Sequence, residues 1–175
     1  ELVRAQKIET FRVTIPEGKQ MLQVADILAG AGAGDRARLE ALMSDREFLA
    51  RNAIEGPTAE GYLFPDTYEF RRGVEAEAVL ERLIRHHHEV YAEVRLAHRK
   101  EARRLESEHG WGHQHIVTMA SIIEKETSVP VERPRIAAVF LNRLEFDHWK
   151  PKRLETDPTI IYGLGGTGKT ISIMA

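Results

Sequence analysis

Apolar and polar side chains alternate over Phe11-Arg12-Val13-Thr14-Ile15, the two-residue period of a half-buried strand. Pro16-Glu17-Gly18 follows as a turn. Met21, Leu22, Val24, Ala25, Ile27 and Leu28 then recur at helical spacing until Gly30, Gly32 and Gly34 stop the helix. A second helix is predicted from about Asp35 to Ala50, with Leu39, Leu42, Met43 and Leu49 on its buried side. A strand and two helices bury little by themselves, so this unit should lean on its neighbour.

Ile54 to Pro57 reads as a connector. The segment from Glu60 to Phe70 is dense in aromatics, and its Pro65-Asp66 pair marks a turn. Tyr68 and Phe70 share a face if the segment is extended, which favours an aromatic anchor in the core over direct sugar contact. One long helix is predicted from Val74 to about His109, with Leu80, Leu83, Ile84, Tyr91 and Val94 as its stripe and Gly110-Trp111-Gly112 as its end. Further helices are predicted at His115–Thr127 and Arg133–Leu144. The latter has Pro134 in its first turn and Ile136, Ala137, Val139, Phe140 and Leu144 facing inward. Thr159-Ile160-Ile161-Tyr162 is a short strand candidate. The pattern is that of an α+β chain.

The 175 residues suit one ordinary domain or a small module joined to a medium one, and 42% hydrophobic with 30% charged residues is a globular balance. A formal net charge of -2 gives no global reason to seek nucleic acid. The absence of cysteine excludes disulfides, thiol catalysis and cysteine-ligated zinc. No apolar run approaches the ~18 residues of a membrane helix. The chain starts at Glu1 without methionine and stops just after the apolar stretch Ile171–Ala175, so it reads as a piece of a longer protein.

The helix at His115–Thr127 carries the main chemical signal. On a wheel of ~100° per residue, Ile116, Met119, Ala120 and Ile123 cluster, while Thr118, Ser121 and Lys125 lie opposite. Glu124 and Glu126 fall on the two flanks of the apolar stripe. A carboxyl group against apolar neighbours is expected to hold its proton more tightly, as a general acid must. Periodicity does not rank one glutamate above the other, and either could simply border a solvated face or pair with Arg133 or Arg135. Residues i and i+2 of a helix diverge by roughly 200°, so the two cannot clamp one glycosidic bond from both sides. A second carboxylate must come from elsewhere, with Asp157 of Thr156-Asp157-Pro158 as the candidate, or none is used. Asp157 also reads as a turn-forming residue before proline.

Ala120-Ser121-Ile122-Ile123-Glu124-Lys125-Glu126-Thr127 resembles the active-site signature of the endolytic murein transglycosylases, the MltG or YceG-like family. Other blocks match in the family's order. Val13–Gly18 resembles the start of its LysM-like subdomain, and Glu60–Tyr68 resembles its signature turn. Glu132-Arg133-Pro134, Ala138–Leu144 and Leu154–Gly163 follow, so the resemblance covers about residues 11 to 166. It implies a LysM-like subdomain at 1–56 and a helix-rich catalytic domain with a short sheet at 57–175, incomplete at its C-terminal end. Glu124 maps onto the family's catalytic glutamate. Glu126, Asn142, Arg143, Thr156, Asp157 and Tyr162 become cleft-shaping or glycan-contacting residues. The implied reaction cuts the β-1,4 bond from N-acetylmuramic acid to N-acetylglucosamine within glycan strands, without water and without a cofactor, leaving a 1,6-anhydro end. The family setting is cell wall assembly and cell shape, beside peptidoglycan synthases. An N-terminal helix not present in this chain would anchor it to the bacterial inner membrane, with this portion in the periplasm or extracytoplasmic space. Glu155 departs from the glutamine usual before Thr-Asp-Pro, which puts local subsite contacts in question.

Other signals carry less. Gly163–Thr170 fits the phosphate-loop pattern, but that motif normally opens a large parallel α/β domain, and only five residues follow it. His86-His87-His88 diverge by ~100° steps on a helix and cannot converge on one ion. His87 falls on the apolar stripe as a packed core histidine, and His113 with His115 lacks a third ligand, so no metal is assigned. The family has also carried the label aminodeoxychorismate lyase. That chemistry needs pyridoxal phosphate on a lysine, and Lys125 lies on the solvated side of its helix. A non-catalytic glycan-binding module is the rival from a different class.

Overall fold

The computed structural model describes residues 9–145 together with Leu154, Thr156 and Thr159. The expected strand at Phe11–Ile15 forms as β1 (Thr10–Thr14). It runs antiparallel to β2 (Thr67–Arg71), with Thr10 opposite Arg71 and Thr14 opposite Thr67. Phe11 and Phe70 face each other at 6.1 Å between ring centroids, and the Thr14 and Thr67 hydroxyls lie 2.9 Å apart. These cross-strand pairs give the two-stranded sheet its register.

Between the strands come α1 (Met21–Gly30), α2 (Arg36–Leu42) and α3 (Arg46–Arg51). The single helix expected over Asp35–Ala50 is therefore two. The Asp45 carboxylate accepts from the Phe48 amide at 2.8 Å, and this local bond caps a new helix instead of letting the first continue. Asp35 caps α2 in the same way, accepting from the Arg38 amide at 2.9 Å. The N-terminus of α1 is finished by a distant residue, with Glu60 Oε2 accepting from the Met21 amide at 2.9 Å. A carboxylate there also suits the positive end of the helix.

The long helix expected over Val74–His109 is likewise two, α4 (Ala76–Ala97) and α5 (Arg99–His109). His98, at φ -112° and ψ 38°, leaves helical geometry between them. The break turns α5 back onto α4, where Ala102 is buried and Arg95 pairs with Glu106 at 2.8 Å. Gly110 ends α5 at φ 66°, a left-handed conformation that glycine adopts without a Cβ clash. Then follow α6 (His113–Glu126), a 3-10 turn at Pro130–Glu132, and α7 (Arg133–Glu145).

The chain divides into two compact units at Gln114/His115. β2 lies past the boundary expected at residue 56. The core belongs to the first unit, where Leu28, Leu39, Phe48, Tyr62, Leu80 and Leu83 are shut from solvent. Each such Leu or Phe side chain contributes roughly 1.5–3 kcal/mol by burial. In the second unit, Met119 and Phe140 are the buried hydrophobics among the described residues. Of the strand expected at Thr159–Tyr162, Thr159 alone is described, and it is helical, its amide returning to the Thr156 carbonyl at 3.3 Å. The phosphate-loop pattern at Gly163–Thr170 lies outside the described residues.

The three consecutive histidines do point apart. His86 meets Asp66 at 3.0 Å, and His88 meets the Asn52 carbonyl at 2.9 Å. His87 is buried, with its Nε2 2.8 Å from Nε2 of His113. One ring must donate and the other accept, so the bond exists only while at least one ring is neutral. Burial lowers the His87 pKa to about 4, assisted by repulsion from His113 and His88. Burial and His88 also lower that of His113.

The unfolded chain therefore takes up protons on these rings at a higher pH than the folded chain does. Stability from this pair is present above the unfolded pKa and is lost as pH falls from about 6.5 toward 4. Denaturation midpoints should drop between about pH 6.5 and pH 5. Replacing His87 with glutamine should flatten that slope; an unchanged slope would show that the pair does not control it.

Candidate functional site

The second unit is a helical hairpin. α6 ends at Glu126, and Thr127 turns the chain. Its buried side chain donates to Glu132 Oε2 at 2.6 Å and accepts from the Val129 amide at 3.0 Å. Those two bonds fix the connection from α6 through the 3-10 turn to α7. On α6, Met119 is buried while Ala120 is exposed, so the apolar stripe is narrower than its periodicity suggests. Thr118, Ser121 and Lys125 are exposed, as the helical wheel predicts.

The two glutamates part company as their spacing requires. Glu126 accepts a hydrogen bond from the hydroxyl of Thr156, which is buried. It also lines a groove of about 290 Å³ with Arg135, Ile136, Val139, Phe140 and Arg143. Val139, expected to face inward, is 47% exposed and forms part of the groove wall instead. Arg143 donates to the Leu154 carbonyl, so it ties α7 to the segment that carries Thr156. Glu124 is exposed and takes no hydrogen bond or ion pair from any described residue. The described residues thus leave it open to solvent, rather than set against an apolar wall as the sequence pattern implied.

Of the other site residues expected, Asn142 is exposed on α7. Asp157 and Tyr162, with the divergent Glu155, lie outside the described residues. The structure thus brings Glu126, Arg143 and Thr156 together and keeps Glu124 apart from them. The link from Glu126 to Thr156 spans thirty residues, and in the sequence it is hinted at by the place of both inside the matching family blocks. Among the described residues no group of three or more potential ligands could hold a metal ion.

Among the described residues the chain is α+β, with a two-stranded sheet, a helical core and a Glu-Lys-Glu run at the end of α6. The chain matches the YceG-like family over residues 1–173 and belongs to it. It is 31% identical over 170 residues to an endolytic murein transglycosylase of Bacillus subtilis, a match covering 89% of this chain and 44% of that protein. A second endolytic murein transglycosylase, from Streptococcus pneumoniae strain D39, is 25% identical over 185 residues, covering 92% of this chain and 31% of that one. The crystal structure of a YceG-like protein from Listeria monocytogenes superposes with a TM-score of 0.74 at 32% identity, covering 93% of this chain and 54% of that chain. The chain thus spans less than half the length of these curated relatives.

Thr127→Val should lower stability by about 1–2 kcal/mol in urea unfolding, because it removes a donor and an acceptor from a buried turn. Thr127→Ser should restore most of it. A loss in Thr127→Ser with none in Thr127→Val would mean that packing of the methyl group, and not these bonds, holds the hairpin.

Proposed function

We propose that the protein of which this chain forms part is an endolytic lytic transglycosylase acting on peptidoglycan, with Glu124 as its single acid and base. The observation that carries the reading is the divergence of Glu124 and Glu126 on α6 within a chain of the YceG-like family. The curated relatives bear the name endolytic murein transglycosylase, which supports the same substrate class.

In this reading Glu124, protonated, gives its proton to the leaving oxygen as the bond from muramyl C1 to that oxygen breaks. The muramyl 6-hydroxyl then attacks C1, and the Glu124 carboxylate takes the hydroxyl proton. The C1–O6 bond closes the 1,6-anhydro ring, and the glutamic acid is regenerated. No water enters, so no second carboxylate is needed to orient one. The cycle needs no cofactor, since proton transfer and internal attack suffice. Glu124 stands exposed among the described residues, where a glycan strand can reach it. Glu126, Arg143 and Thr156 act as a braced wall beside the strand. Asn142, Asp157 and Tyr162 complete its contacts. The setting that fits such an activity is cell wall assembly next to peptidoglycan synthases, on the outer side of the inner membrane.

The test is Glu124→Gln in the full-length protein, with purified sacculi as substrate and mass spectrometry of the products. Anhydro-muropeptides should fall by at least about 100-fold. Undiminished anhydro products would remove Glu124 from its role. Ordinary reducing ends from the unaltered protein would indicate a hydrolase, and glycan binding without any product would indicate a binding module.

A further inference from the structure

The first unit carries a larger groove, of about 760 Å³, between β2 and the first half of α4. Its volume falls in the range of ordinary ligand sites. Four arginines line it, Arg71 and Arg72 from the strand end and Arg82 and Arg85 from the helix, against Glu69 and Glu81.

Most of these groups are already engaged. Arg72 pairs with Glu9 at 3.0 Å. Arg82 donates to the Glu69 carbonyl at 2.5 Å and lies 5.4 Å from the centre of the Phe70 ring. The Glu69 carboxylate accepts from Thr10 at 2.6 Å and faces Arg12 at 3.9 Å. Arg71 and Arg85 are exposed and form no ion pair among the described residues.

The strand edge adds to this. Glu69 and Arg71 sit opposite Arg12 and Thr10 at positions where the ladder makes no hydrogen bonds, since the Ile15–Asp66 and Arg72–Glu9 bonds fix the alternation. Their amides and carbonyls therefore point away from β1, on an edge with no further strand among the described residues. The Glu69 carbonyl is taken by Arg82, and the Arg71 carbonyl accepts from the Val74 amide at 3.2 Å. What remains on offer is two backbone N–H groups and two guanidinium groups, all donors, with Glu81 the one acidic group left to oppose them. A ligand that lies along this edge must bring acceptors spaced along an extended chain, with negative charge for the arginines.

We propose that this groove binds an acidic peptide in extended conformation, namely the carboxylate-bearing stem peptide carried by the glycan strand. The choice of stem peptide rests on the peptidoglycan reading above; the donor-only edge and its arginines do not. The site holds the substrate by its peptide, separately from the sugar chemistry at Glu124. Peptide carbonyls would receive the strand-edge amides, and the carboxylates would receive Arg71 and Arg85.

The test is calorimetric titration of the protein with L-alanyl-γ-D-glutamyl-diaminopimelate and with the same peptide amidated at its carboxylates. Amidation should weaken binding at least about tenfold, as should the double variant Arg71→Gln/Arg85→Gln, because each removes charge-assisted hydrogen bonds. Equal affinity of the two peptides, or unchanged affinity of the double variant, would overturn the proposal. So would inorganic pyrophosphate binding where the peptide does not, which would point to a phosphate-rich polymer. Glu124→Gln should bind the peptide as the unaltered protein does. Peptide binding without anhydro products would sink the catalytic reading alone, and anhydro products without peptide binding would sink this one alone.

Discussion

The fold depends on the return of the segment Glu60–Phe70 to the strand that opens the described chain. That one segment meets four separate needs. Glu60 caps α1, Tyr62 fills the core, Tyr68 donates to the Phe64 carbonyl at 2.7 Å, and Tyr68 with Phe70 turns the inner face of β2 toward the helices. A two-stranded ribbon is marginal in water by itself. Here the helices between the strands cover one face, and α4 closes the core with Val79, Leu80, Leu83 and Ile84. The order of closure matters, because the sheet joins residues more than fifty positions apart and must recover that loop entropy from packing.

The elements of the chain were legible where they were periodic and hard to read where local chemistry broke the period. β1, α1, α6 and α7 fall within a few residues of where alternation and helical spacing put them. The breaks at Asp45 and at His98 were missed for different reasons. Asp45 competes for a backbone amide with its own side chain, a three-residue event that a longer apolar stripe hides. At His98 the backbone leaves helical geometry and α5 meets α4 through Arg95 and Glu106, a contact between two helices that a helical wheel does not contain. The partner of β1 was equally invisible, since pairing is not a property of either strand alone. His87 was readable as a core histidine, but its bond to His113 was not.

The family resemblance reached further into the site than the residue pattern did. Periodicity placed Glu124 and Glu126 on opposite flanks, and the structure gives that separation a physical content: one acid is held by Thr156 and set in a groove wall, the other is left to solvent. The expectation of an apolar wall around Glu124 came from counting neighbours on its own helix. Burial, however, is decided by what packs on that helix, and α6 buries Met119 alone among its described residues.

α4 supplies a last consequence. Its buried residues run from Ala76 to His87, and the following ten, to Ala97, contribute none to the core. At 1.5 Å per residue those ten extend the helix by about 15 Å, and from them His88, Tyr91 and Arg95 reach Asn52, His113 and Glu106. One inserted or deleted residue just after His88 would turn Tyr91 and Arg95 by ~100° about the helix axis, away from His113 and Glu106. Length and phase along that stretch therefore decide whether those three side chains meet their partners at all.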